Sequence, residues 1–157
     1  MGNKGFTFLE LLITITILII LASAVMPLSQ LSVKRSKESE LRQSLRVIRT
    51  AIDEYKKASD DGLIRMDAAS SGYPPDLKIL VEGAEDLKSP RSGKKVRFLR
   101  RVPRDPMNAD ATLAPEGTWN LRSYASDPDD PSEGDDVFDV YSRSEETAID
   151  GTLYKSW

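Results

Sequence analysis

The sequence predicts an α+β fold: a long N-terminal helix, membrane-spanning at first and amphipathic later, packed on the small antiparallel β-sheet of a head. Three observations predict it. Residues 6–26 read FTFLELLITITILIILASAVM, an apolar run interrupted only by Thr7, Glu10, Thr14, Thr16 and Ser23. Further on, Leu41, Leu45, Ile48, Ile52 and Tyr55 recur at spacings of four and three, which makes one stripe on a helix. Short runs rich in aromatic and branched residues then alternate with turn signals, the pattern of small strands laid against a helix. The 157 residues allow one compact head plus an appendage.

The first element has the length to span a bilayer core, for which about 20 apolar residues suffice. Lys4 and the amino terminus place positive charge ahead of it, so the expected orientation is N-terminus in the cytoplasm and C-terminus outside. One helix, bent near Pro27, is expected from Phe6 to about Ser59, with Gly62 as its stop; at 1.5 Å per residue it would be roughly 80 Å long. Its second half should turn the apolar stripe to the head and expose Lys34, Arg35, Lys37, Arg42, Arg46 and Arg49. Pro75 starts a brief helix holding Leu77, Leu80 and Val81 and ending at Gly83. Residues 96–99, 119–124 and 137–141 read as strands.

Composition narrows the function. Cysteine and histidine are both absent, which removes disulfides, thiolate metal sites, the cysteine nucleophile and the commonest general base. No phosphate-cradling glycine loop is present either, and the chain reads as non-enzymatic. The net charge of -3 conceals a sorting along the chain. Residues 88–104 carry eight Lys or Arg and no acid, whereas 13 acids follow from Asp105 onward. The basic stretch is expected to be solvated or to pair with acids of a neighbouring copy, with no nucleic-acid partner. The acidic run at 127–136 lacks the spacing of a calcium loop of the EF-hand type and is expected to be a solvated loop.

Glu10 decides between readings of the N-terminal run. A secretory signal would suit the charged start and the small-x-small site Ala22-Ser23-Ala24, and would leave a soluble binding module starting at Val25. An acid in the apolar run, however, costs on the order of 2.5–3.5 kcal/mol near a helix centre and gives an export signal or a plain anchor nothing in return. A cut after Gly5 would supply a partner, the new amine of Phe6, within about one helical turn of Glu10. The residues Gly5-Phe6-Thr7-Phe8-Leu9-Glu10-Leu11-Leu12 resemble the N-terminal signature of type IV pilins and of the pseudopilins of type II secretion. Pro27 falls where that family often has a helix-kinking proline.

The resemblance implies cleavage after Gly5 by a membrane prepilin peptidase, methylation of the Phe6 amine, and assembly through Phe6, Glu10 and Pro27. It also implies a leader at 1–5, a transmembrane and polymerisation helix at 6–30 and a periplasmic head at 31–157. In the head, Tyr73-Pro74-Pro75-Asp76-Leu77, Val102-Pro103-Arg104-Asp105-Pro106 and Asp139-Val140-Tyr141-Ser142 look like the major pseudopilin, and the fold implied is the pilin fold. Implied partners are further copies in a helical filament, the peptidase, minor pseudopilins, an inner-membrane secretion platform and the membrane. Implied localisation is the bacterial inner membrane, single-pass, and then a periplasmic filament. Major pseudopilins commonly bind calcium in the C-terminal loop, where Glu146 and Asp150 match liganding positions, although this loop is shorter and lacks the family's glycine-rich stretch. A type IV pilin for adhesion, motility or DNA uptake remains an alternative at this stage.

Overall fold

The computed structural model describes residues 5–66, 70–90 and 93–157, with only the helical backbone for 24–28. Helix α1 runs Phe8–Asp60. Thr7 starts it: its Oγ1 accepts the Glu10 amide at 3.2 Å, relieving one of the donors that every helix leaves unpaired at its start, and its carbonyl accepts the first regular helical bond, from the Leu11 amide at 3.1 Å. Gly62 ends it in the left-handed region at φ 64°, where the Gly62 amide reaches Ser59 and the Leu63 amide reaches Ala58. Helical backbone continues through Pro27; the bend expected there lies outside the described residues.

The chain divides into two compact units, Met1–Ser36 and Lys37–Trp157. In the first, the described part of α1 exposes its apolar side chains all round, from Leu9 through Leu21. Thr14, Thr16 and Ser23 return their hydroxyls to the carbonyls of Leu11, Leu12 and Ile20, so each polar interruption is satisfied by its own helix. Among the described residues no helix is long and apolar enough to cross a membrane, and the side chains of 24–28 lie outside those residues.

In the second unit the stripe Leu41, Leu45, Ile48, Ile52 and Tyr55 is buried as expected, against Leu77, Leu80, Trp119, Val140 and Tyr154. Helix α2, Lys78–Glu82, is capped by Asp76, whose Oδ1 accepts the Ile79 amide at 2.9 Å, and ends at Gly83. In place of the single sheet expected, two separate two-stranded antiparallel sheets form. Strand β1, Ala84–Glu85, pairs with β2, Lys95–Val96; β3, Trp119–Arg122, pairs with β4, Asp139–Ser142, in the register Trp119 to Ser142.

The expected strands end early because their next amides find other partners. The amides of Phe98 and Leu99 both turn to the Leu80 carbonyl at the end of α2, which pulls the chain out of the β2 ladder. After Arg122 the Ser123 amide goes to Ser132 and the Tyr124 amide to the Asp136 carboxylate. Asp136 also accepts the hydroxyls of Ser71 and Ser123, so this acid of the 127–136 run belongs to the scaffold. Burial pushes its carboxyl up, but those three hydrogen bonds outweigh burial and leave it below the ordinary range.

Asp105 explains the Val102-Pro103-Arg104-Asp105-Pro106 segment. It is 1% exposed, and its carboxylate accepts Ser142 Oγ at 2.6 Å and the Met107 amide at 2.8 Å, tying the turn to the end of β4. Trp119 fills the layer beside it and donates Nε1–H to the Pro103 carbonyl at 2.8 Å.

Candidate assembly and processing site

Gly5, Phe6, Thr7 and Glu10 lie together at the start of α1. A Cβ built on Gly5 meets no described atom within 4 Å, so packing within the chain does not demand glycine there. Phe6 is 72% exposed, and Phe8 projects its ring outward as well. Glu10 is exposed in the first helical turn, where the helix dipole favours an anion. None of the ion pairs among the described residues includes it. The Thr7-x-x-Glu10 spacing also gives the helix a capped start, a local structural role that coexists with any contact made by the carboxylate.

Among the described residues the site is therefore an apolar helical surface whose hydroxyls at Thr7, Thr14, Thr16 and Ser23 bond within their own helix, with the exposed Glu10 carboxylate at its beginning. Chemically it can do two things: insert into an apolar phase or against copies of itself, and receive one cation near Glu10. Pro27 belongs to the same helix, and its side chain lies outside the described residues.

Asp150 lies in a tight loop closed by a bridge between Thr147 and Leu153, and Glu146 immediately precedes that bridge. Both are exposed. Asp150 Oδ1 accepts the Thr152 amide at 3.0 Å and the Thr152 hydroxyl at 2.6 Å, while Oδ2 lies 3.6 Å from Arg42. The Thr152 hydroxyl and amide, with a smaller push from Arg42, hold the Asp150 carboxyl below the usual carboxylate range.

Arg42 is exposed as the sequence expectation had it, whereas Arg49, also placed on the solvent face, is half-buried. Arg49 donates Nε–H to Asp139 Oδ1 at 2.7 Å and Nη2–H to the main-chain oxygens of Val140 and Trp157 at 3.1 and 2.8 Å. Arg42 lies over the Trp157 ring, 4.1 Å from its centroid. Glu38 was missed altogether: it is buried, and Oε1 accepts the Ile149 amide and the Tyr154 hydroxyl. The available signal was spacing, because Glu38, Arg42, Leu45 and Arg49 continue at four, three and four along the edge of the core stripe.

The basic stretch is not one uniform strip. Lys88 donates to the Asp61 carbonyl, Lys94 pairs with Asp86, and Arg104 is spent on the carbonyls of Leu113 and Asp110. Lys95, Arg97, Arg100 and Arg101 face solvent.

Comparison with known proteins bears on the first of these sites directly. The family described as the prokaryotic N-terminal methylation motif matches residues 1–26. Type II secretion system core protein G of Pectobacterium carotovorum subsp. carotovorum is 29% identical over 137 residues, 86% of this chain and 83% of that protein. The protein of the same description from Klebsiella pneumoniae is 27% identical over 140 residues, 86% of this chain and 92% of that one. The Pseudomonas aeruginosa counterpart is 28% identical over 131 residues, 80% and 84% of the two chains. No solved structure matches.

Proposed function

From the premise that this chain is type IV pilin-like, and most like the major pseudopilin of type II secretion, we propose that it is a structural subunit of a pseudopilus filament serving that pathway. A prepilin peptidase cuts after Gly5, the Phe6 amine is methylated, and the first half of α1 holds the subunit in the inner membrane with its head in the periplasm until assembly. Minor pseudopilins and an inner-membrane platform are its partners, and its work is mechanical, not enzymatic.

The observation that carries this reading is the exposed Glu10 carboxylate, paired with no described group, at the start of a helix whose other described polar side chains in the apolar run bond within the helix itself. Left alone in an apolar phase, Glu10 costs on the order of 2.5–3.5 kcal/mol, less near a helix end. The positive amine made by the cut offsets that cost when one subunit presents Glu10 to the Phe6 amine of the next. Cleavage after Ala24, by contrast, would sever α1 within its length and discard the apolar surface from Phe6 through Leu21. A type IV pilin for adhesion, motility or DNA uptake shares the mechanism, but similarity to type II secretion proteins over most of the chain favours the pseudopilus.

The test is Glu10→Ala. It should leave cleavage at Gly5 intact and abolish filaments when the subunit is overproduced with its secretion platform. Wild-type filament yield from that variant would remove Glu10, and the mechanism built on it, from the account.

A further inference from the structure

We infer that the C-terminal segment 139–157 is locked to α1 by Glu38, Arg42 and Arg49, and that this lock takes the place of a calcium ion in the C-terminal loop. The inference goes beyond the pseudopilus reading and does not depend on filament assembly.

The donor set does not fit calcium. That ion takes about six to eight oxygens, supplied by carboxylates and carbonyls that converge on one point. Among the described residues no group of three or more acids converges anywhere. At the matching loop, Asp150 has turned one oxygen to Thr152 and the other towards Arg42. Three of the loop's carbonyls are taken up by the loop itself: Glu146 receives the Tyr154 amide, Ala148 the Gly151 amide and Thr152 the Ala148 amide. A divalent cation brought to Asp150 would also meet the Arg42 guanidinium, a like charge on a neighbouring helix.

What a cation would do for the loop is already done from α1. Calcium draws carbonyls and carboxylates of a loop together; here two guanidiniums and one buried carboxylate do so from fixed points along one helical edge. Arg49 gathers both oxygens of Asp139 with the main-chain oxygens of Val140 and Trp157, joining β4 to the last residue. The planar fork of an arginine suits such multiple acceptance, and its charge is permanent across the biological pH range. Arg42 covers the Trp157 ring, which meets Tyr154 edge-on at 5.2 Å and donates Nε1–H to Thr152 Oγ1 at 2.7 Å. Glu38 supplies the anion in the interior, holding the Ile149 amide and the Tyr154 hydroxyl on a single oxygen. Side chains of α1 thus meet the segment at Asp139 and Val140 and again at Ile149, Asp150, Tyr154 and Trp157.

The experiment is site-resolved hydrogen exchange on the full chain in detergent, read at the amides of Ala148, Ile149, Gly151, Thr152 and Tyr154, in calcium chloride and in EGTA. For the unmodified chain, protection of these amides should be the same in both. Arg49→Gln and Glu38→Gln should each speed exchange there about tenfold or more, without changing the amides of Leu45 and Ile48 in α1. Should either variant fail to fold, Arg42→Lys provides the milder case: it keeps the charge, loses the flat cover on Trp157, and should speed exchange at Thr152 and Tyr154 a few-fold. Calcium-dependent protection in the unmodified chain would overturn the inference, and so would variants that leave loop exchange unchanged.

Discussion

At Tyr154 two causes act in the same direction. Burial raises the phenol first, the hydrogen bond to Glu38 and its charge raise it further, and together they push the pKa from an ordinary 10.0 to about 12. In the folded state the hydroxyl therefore keeps its proton through an interval in which the unfolded chain loses it. The resulting stabilisation is fully present below pH 10 and is lost as the pH rises towards 12. Tyr154→Phe should cost about 1 kcal/mol at neutral pH, from the hydrogen bond lost to Glu38. It should also flatten the fall in stability across that alkaline interval, and urea unfolding at several pH values would reveal the difference. A parallel fall in both proteins would show that the Tyr154–Glu38 contact is not what titrates. Glu38 and Glu10 make an instructive pair at this scale. Glu10 interrupts an apolar run and Glu38 lies in a charged one; Glu38 is satisfied by its own chain and Glu10 by no described group. Sequence reasoning noticed Glu10 because the run around it is unbroken, and passed over Glu38 because charged residues surround it.

At the scale of elements, Gly83 joins α2 to β1 at φ 84°, and a Cβ there would stand 2.6 Å from the Val96 carbonyl oxygen. Backbone must move to admit it. Gly83→Ala should thus destabilise the head by about 2 kcal/mol or more, through both strain and loss of the β1–β2 pairing. Gly62→Ala makes a clean comparison, since φ is also positive but nothing lies within 4 Å, and it should cost only about 1 kcal/mol. Thermal melts of the two variants followed by circular dichroism check the order; equal losses would deny the close approach at Gly83. The helices were legible because their signals are local: the stripe from Leu41 to Tyr55, the stop at Gly62 and the end at Gly83 are each written within a turn or two. The strands were less so. Whether Phe98 continues a ladder depends on a carbonyl at Leu80, and whether Tyr124 does depends on Asp136, contacts between elements that no spacing encodes. The same limit explains Arg42 and Arg49, whose partners lie about a hundred residues further along the chain.

The whole molecule combines two kinds of surface economy. The unit Lys37–Trp157 closes its own core around the second half of α1 and ties its C-terminal segment with charged side chains. The unit before it presents exposed apolar residues that no described part of the chain covers. Such a surface is stable only when something else covers it, and membrane followed by filament is a sequence of environments that does so. This division was readable from composition, since the polar interruptions of residues 6–23 are sparse and those beyond Leu31 are frequent. The C-terminal lock was not, because the family resemblance directed attention to Glu146 and Asp150 as metal ligands. The central claim, however, rests on where the chain is cut. Mass spectrometry and amino-terminal sequencing of the membrane-extracted protein should find a chain that begins at an N-methylated Phe6; a chain beginning at Val25 would contradict the account, removing the amine, the Glu10 contact and the filament with it.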